Sequence, residues 1–282
     1  MSVGSGQRPA TRGTARRRPT PAPGSVLRGR AMVTGGTSGI GLSFAHALAA
    51  RGCDLVLVAR DTARLEKTAE QLRWRYGVDV EPLRADLADR ADVDTVAARL
   101  VDEDRPVEIL VNNAGRGLHV SLLDADTAVH ESALDLMVRA VMVLGGAAGR
   151  AMRGRRHGVI INVSSVAGLI PMGLYSAIKS WVRTYSESLA LELSGSGVRV
   201  NTLLPGWVRT EFHDRAGIRA GSVPGALWLE ADAVVARCLA DVERGRLRSV
   251  PSKRFTVLAF LAEHGPRPAV RRVTGLLKKG RR

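Results

Sequence analysis

The chain has 282 residues, 45% of them apolar, and carries 42 lysines and arginines against 27 acidic residues, a formal charge of +15. That length supports one large core, and two cysteines are too few for a disulfide framework. The charge does not mark the folded body as a nucleic-acid binder: residues 1–30 and 264–282 hold seven basic residues each and no acid, which leaves 28 basic against 27 acidic residues between them.

Residues 1–29 are rich in Pro, Gly, Ser, Thr and Arg and lack apolar periodicity, so a disordered tail is expected there. Arginines without acids suit a transit peptide, but the prolines and glycines oppose the amphipathic helix such a peptide needs. A single domain over 30–263 follows. Arg30 to Thr34 (RAMVT) reads as a strand, Gly35 to Gly41 as a turn, and Leu42 to Arg51 as a helix. Strand, glycine turn and helix make a phosphate site: Gly35, Gly39 and Gly41 let the backbone approach a pyrophosphate, whose charge rests on the helix N-terminus. Taken alone, the turn also admits the plainer reading of a helix start with glycines for close packing.

Asp54 to Ala59 (DLVLVA) is a nearly continuous apolar run, as in a parallel strand buried on both faces. It ends at Arg60. At this strand end of a dinucleotide fold a carboxylate takes the 2′-hydroxyl of NAD, and an arginine takes the 2′-phosphate of NADP. Arg60 therefore points to NADP, with NAD as the alternative, and Arg64 one turn on could add charge. Further along, Tyr175 and Lys179 in YSAIK fall at i and i+4 on one face of an expected helix. An ammonium beside a phenol favours the phenolate and lowers its pKa from about 10, so such a tyrosine can trade a proton with a carbonyl or an alcohol.

In this order the stretches resemble the short-chain dehydrogenase/reductase family over about residues 30–255. Thr34, Gly35, Gly36, Thr37, Ser38, Gly39, Ile40 and Gly41 resemble its cofactor turn, and Asp86 with Leu87 its adenine-contacting pair. Asn112, Asn113, Ala114 and Gly115, after an expected strand from Glu108 to Val111, resemble its NNAG turn. INVSS, ending at Ser165, resembles the fifth strand and catalytic serine, and YSAIK the catalytic helix. Pro205, Gly206, Trp207, Val208, Arg209 and Thr210 resemble the loop that closes on the nicotinamide. The resemblance implies an α/β fold, a single-domain Rossmann-like doubly wound parallel sheet of seven strands flanked by helices. It further implies NADP or NAD as cofactor and the interconversion of a carbonyl and an alcohol. Ser165, rather than Ser164, would donate to the substrate oxygen, Tyr175 would act as acid and base, and Lys179 would hold the ribose. Val208 and Thr210 would anchor the carboxamide.

Two departures keep open a cofactor-binding sensor or scaffold of the same fold without turnover. The family's catalytic asparagine falls on Met137 (LDLMVRAV), which has no side-chain amide to hold a relay water. Ser165 and Tyr175 are only 10 positions apart, so the loop with Pro171 and Gly173 must be short. Residues 211–229 stand where the family keeps its substrate lid, and their Ala, Gly, Leu and Trp content suggests an apolar or weakly polar substrate. Trp207 and Trp228 flank that lid, and His119 and His213 are candidates for the pocket edge. A helix is expected near Glu230 to Arg244. The family's glycine-rich C-terminal strand is absent; GRLRSVPSKRF, a short apolar helix from Thr256 to Glu263 and a basic tail over 264–282 take its place.

Cys53 and Cys238 lie in apolar settings, which suits reduced thiols in the cytoplasm, and the six histidines show no metal spacing. No apolar run approaches the length of a membrane span. The tails could touch anionic lipid or RNA, although a solvated basic tail is the simpler reading. The expected partners are thus a small-molecule carbonyl or alcohol and a second copy of the chain. The resemblance implies a homodimer or homotetramer through the fifth and sixth helices, with Gly145, Gly146, Ala147 and Gly149 permitting close packing.

Overall fold

The structure, a computed structural model, describes residues 18–118, 120–211 and 225–266. Its apolar runs become strands: β1 (Arg30–Thr34), β2 (Asp54–Ala59), β3 (Val80–Arg84), β4 (Ile109–Asn112), β5 (Gly158–Val163), β6 (Val198–Leu203), β7 (Trp207–Arg209), β8 (Trp228–Glu230) and β9 (Arg248–Ser249). Seven of them form one sheet in the order β3-β2-β1-β4-β5-β6-β9, every neighbouring pair parallel, while β7 and β8 pair separately. The strand order reverses between β1 and β4, which opens a crevice at their C-terminal ends, where ligands of such sheets bind.

The connecting helices are α1 (Gly39–Ala49), α2 (Thr62–Tyr76), α3 (Arg90–Leu100), α4 (Ala128–Leu134), α5 (Ala140–Arg155), α6 (Leu174–Glu192), α7 (Ala231–Glu243) and α8 (Lys253–His264). Alternate residues of each central strand feed two apolar layers. Val33, Leu55, Leu57 and Ile161 pack under Phe44, Leu72 and Leu239 of α1, α2 and α7; Met32, Val56 and Ile160 pack under Val96, Leu144 and Met152 of α3 and α5. Local signals set the helix ends: Asp61 caps α2 by accepting from the Arg64 amide at 3.0 Å, and Gly77, at φ 65°, ends it. Between α4 and α5, residues Asp135–Arg139 wind as a π-helix, one of the single-turn insertions that shift the phase of a helix and recur at functional sites.

Two expectations need correction. The structureless tail does not reach Gly29, because Leu27 is fully buried and Arg18 pairs with Asp54 at 3.0 Å and donates to the Gly52 carbonyl at 2.8 Å. Burial of Leu27, the Arg18 pair and the bonds of Ser25 and of the Val26 amide to Glu243 tie this segment to the body. The expected seven strands are all present in the sheet, the C-terminal edge being built from Arg248 and Ser249 in place of a glycine-rich sequence. Residues 128–155 form one helix whose most apolar window has a mean hydropathy of 1.4, long and apolar enough to cross a membrane by length and composition; half of that window is buried inside the protein, as in a core helix. His119, His213, residues 1–17, 212–224 and 267–282 lie outside the described residues.

Candidate active site

The crevice is held together at the end of β1. Thr34 Oγ1 donates to the Val111 carbonyl at 3.2 Å and accepts from the Asn113 and Ala114 amides at 2.9 and 3.0 Å, while Asn113 Nδ2 donates to the Thr34 carbonyl at 2.9 Å. These bonds draw β1 and β4 together and leave the glycine turn above them. Gly35 and Gly39 have φ of 65° and 52°, a conformation open to glycine. A Cβ on Gly41 would stand 2.2 Å from the Gly35 carbonyl oxygen, so no side chain fits there. Ser38 precedes α1 with an extended backbone and no side-chain cap, so the first amides of α1 face the turn without a side-chain acceptor. A backbone cradle with uncapped amides at a helix N-terminus fits the pyrophosphate of a dinucleotide. Thr37, Ser38 and Ile40 lie within this cradle.

At the far end of the crevice Arg60 is exposed at the end of β2, 3.7 Å from Asp86 Oδ2, and Leu87 is buried beside it in sequence. Arg64 corrects the expectation that it adds charge for a phosphate. Its guanidinium closes a bidentate pair with Glu211 at 2.9 and 2.5 Å and donates through Nε to the Thr37 carbonyl at 2.9 Å. It acts as a staple between the glycine turn and the chain after β7. Thr210 reinforces it: a Cβ on Gly39 would lie 3.1 Å from the Thr210 side chain.

At the other end the chain leaves β5 through Ser164 and Ser165. Ser164 Oγ donates to the Lys179 carbonyl at 2.6 Å, a bond spent on the α6 backbone. Ser165 Oγ accepts from the Ala167 amide at 3.1 Å, contacts the Pro205 carbonyl at 3.4 Å and hydrogen-bonds the Tyr175 hydroxyl. The short stretch between Ser165 and Tyr175 suffices because Val166–Leu169 tighten into a 3-10 turn and Gly173, at φ 92°, turns the chain into α6. Gly168 lies directly on α6, where a Cβ would come within 2.7 Å of the Lys179 backbone. Lys179 is 5% exposed; its Nζ donates to the Val163 carbonyl at 2.8 Å and stands 5.7 Å from the centre of the Tyr175 ring.

The expected lowering of the tyrosine pKa by this ammonium does not occur. Burial pushes the Tyr175 hydroxyl up to about 12, against the opposing bond from Ser165, and burial pulls Lys179 down to about 8. Desolvation disfavours both charged forms and is the largest cause of each shift.

Some structural partners had no sequence signal. Asn112 Nδ2 donates to Asn162 Oδ1 at 2.9 Å, Asn162 Nδ2 to Ser186 Oγ at 2.9 Å, and Ser186 Oγ to the Val182 carbonyl at 2.6 Å, a buried ladder that fixes β4, β5 and α6 in register. Phe255 of α8 covers Gly206, where a Cβ would fall 2.1 Å from the ring. Met137 is buried in the π-helical turn with its sulfur against Gly115. Val208 is buried in β7, and Trp207 meets Trp228 across the β7–β8 pair at 6.1 Å. Ser165, Tyr175, Lys179 and Pro205 thus form one cluster, and Thr34, Gly35, Gly39, Gly41, Asn113, Ala114 and Thr210 a second beside it.

The short chain dehydrogenase family model matches residues 30–219. Galactitol 2-dehydrogenase of Rhizobium johnstonii is 36% identical over 214 residues, which cover 74% of this chain and 81% of the relative. A short-chain dehydrogenase from Sphingobium yanoikuyae, solved in complex with NADPH, is 37% identical and superposes with a TM-score of 0.76 over 81% of this chain and 91% of its own. The bulky-bulky ketone specific alcohol dehydrogenase of Comamonas testosteroni is 30% identical, with a TM-score of 0.72 over 81% and 90% of the two chains. Sheet order, glycine cradle and sequence agree with these matches, and the chain belongs to the short-chain dehydrogenase/reductase family of NAD(P)-dependent oxidoreductases.

Proposed function

We propose that this enzyme interconverts a carbonyl and an alcohol on an apolar or weakly polar small molecule, with Tyr175 as general acid and base and NADP(H) as the preferred cofactor. The observation that carries the reading is the convergence of Ser165, Tyr175 and Lys179 beside a pyrophosphate-fitting turn. When bound, the reduced nicotinamide supplies the hydride. In that direction the Ser165 hydroxyl donates to the carbonyl oxygen, where charge grows. Tyr175, holding its proton up to about pH 12, delivers it to the same oxygen. Lys179 orients the ribose and, below about pH 8, carries the charge that balances the tyrosine once it has given up its proton.

Arg60 at the end of β2 supports NADP(H), and so does the Sphingobium relative solved with NADPH. The Comamonas relative, named for bulky-bulky ketones, supports a ketone as the substrate class. Cys53 and Cys238 are buried, which pushes both thiols up to about 12 and argues against thiolate chemistry. A cytoplasmic homodimer or homotetramer completes the reading, although the small residues of α5 no longer argue for it: Gly145 makes room for Tyr185 and Gly149 for Leu193, both on or next to α6 of the same chain. Exposed Leu134, Met142 and Leu191 near those helices support it instead. A panel of ketones and aldehydes followed by NADPH absorbance tests the proposal. Oxidation of NADPH with at least one apolar ketone is expected; tight NADPH binding without turnover across the panel would favour the sensor reading that Met137 raised.

A further inference from the structure

We infer that the outer face of α8 docks the protein on an anionic lipid surface. The helix is apolar on two sides. Phe255 and Ala259 are buried on the inner side, and Glu263 ties the helix to the body through Arg248 at 2.8 Å and Arg183 at 3.5 Å. On the outer side Val257, Leu258, Phe260 and Leu261 are 59%, 48%, 59% and 54% exposed. At 3.6 residues per turn these four fall within an arc of about 160°, so they form one continuous apolar strip. Lys253 and Arg254 lie exposed within the same arc, and the one acid of the helix, Glu263, faces the body. Four large apolar side chains in water on a single helix mark an interaction surface.

The charge decides what covers it. Residues 267–282, immediately beyond α8, add seven lysines and arginines and no acid. A second copy of the chain would bring two such segments together and repel. An anionic bilayer suits both features: the apolar strip enters the headgroup boundary beside exposed Lys253 and Arg254, and the positive charge carried by the following sequence attracts the lipid phosphates. The placement relates to the active site, because the inner face of α8 presses Phe255 onto Gly206 of the loop that follows Ser165's partner Pro205. A protein docked through α8 holds that loop near the surface, within reach of apolar molecules dissolved in the bilayer.

Co-sedimentation of the full chain with vesicles of phosphatidylcholine containing about one third phosphatidylglycerol tests the inference. The wild type is expected to sediment with these vesicles, not with pure phosphatidylcholine, and to be released at high salt as screening shortens to a few ångströms. The double variant V257Q/L261Q, exposed and helix-compatible, is expected to lose at least about tenfold in vesicle affinity while NADPH affinity stays unchanged. A second variant with Lys278, Lys279, Arg281 and Arg282 replaced by Gln should lose a similar factor, and its residual binding should fall less steeply with salt than that of the wild type. Failure of the wild type to sediment would overturn the inference, and so would undiminished sedimentation of V257Q/L261Q. A wild-type dimer that V257Q/L261Q separates, with no vesicle binding in either form, would assign the strip to a second copy instead.

Discussion

Tyr175 and Lys179 show how burial can outweigh a neighbouring charge. Sequence spacing alone places an ammonium beside a phenol, yet the fold buries both, and the phenol keeps its proton while the amine holds its own less tightly. Tyr175→Phe is therefore expected to lower turnover by roughly 10²–10⁴-fold while leaving NADPH affinity within a few-fold, measured by absorbance and by fluorescence titration. Near-normal rates in that variant would remove the tyrosine from the mechanism. Lys179 makes a second expectation in the cofactor-free protein. Folded, it titrates near 8, against 10.5 for an ordinary lysine. Between those values the unfolded chain binds more protons, so wild-type stability rises with pH across the window. Lys179→Met removes this term, and denaturant melts should show the wild type gaining roughly 3 kcal/mol on the variant between pH 8 and 10.5. A constant difference would mean that the amine is not desolvated. Arg60→Ala should weaken NADPH by roughly ten- to a hundredfold and NADH little, because it loses a charge-assisted phosphate bond and leaves Asp86 facing the phosphate without its counter-ion. The residue types of the site were legible in TGGTSGIG, NNAG, INVSS and YSAIK. What their side chains spend their bonds on was not, since Arg64 meets Glu211 and Lys179 meets Val163 only after the chain has folded.

Elements were legible in proportion to how much of their signal is local. β2 is a run of six residues whose bounds match the apolar stretch DLVLVA, and β1 ends where the glycines begin. α1 starts three residues earlier than its apolar spacing indicates, because the glycine turn itself supplies its first turn. β9 left no trace, since two residues pair with β6 only where the sheet presents an open edge. The π-helical winding around Met137 is equally silent: an i to i+5 bond has no compositional mark. Gly168 carries an element-scale expectation. Its missing Cβ lets the 3-10 turn rest on the backbone of α6 at Lys179 and Ser180. Gly168→Val would push that helix away, at a cost of about 1–3 kcal/mol. Moving the tyrosine by about 1 Å should lower kcat by on the order of a hundredfold, with NADPH affinity changed much less. Thermal melts and steady-state kinetics read the two effects separately, and unchanged kcat would mean that α6 is not positioned by this contact.

For the whole molecule, the near-neutral body and the basic ends divide the labour of folding from that of surface charge. Removing residues 1–17 and 267–282 should leave the melting temperature and NADPH affinity unchanged while the isoelectric point falls steeply, because Leu27, Arg18 and α8 all lie inside the retained part. Loss of cooperative unfolding in the trimmed chain would show that the ends contribute to the core. Within the body, Arg64 joins the glycine turn, through the Thr37 carbonyl, to Glu211 after β7, which lies 147 residues beyond it in the chain. The glycine turn and the chain after β7 consequently share one mechanical link, so that a displacement of either is passed to the other through a single guanidinium.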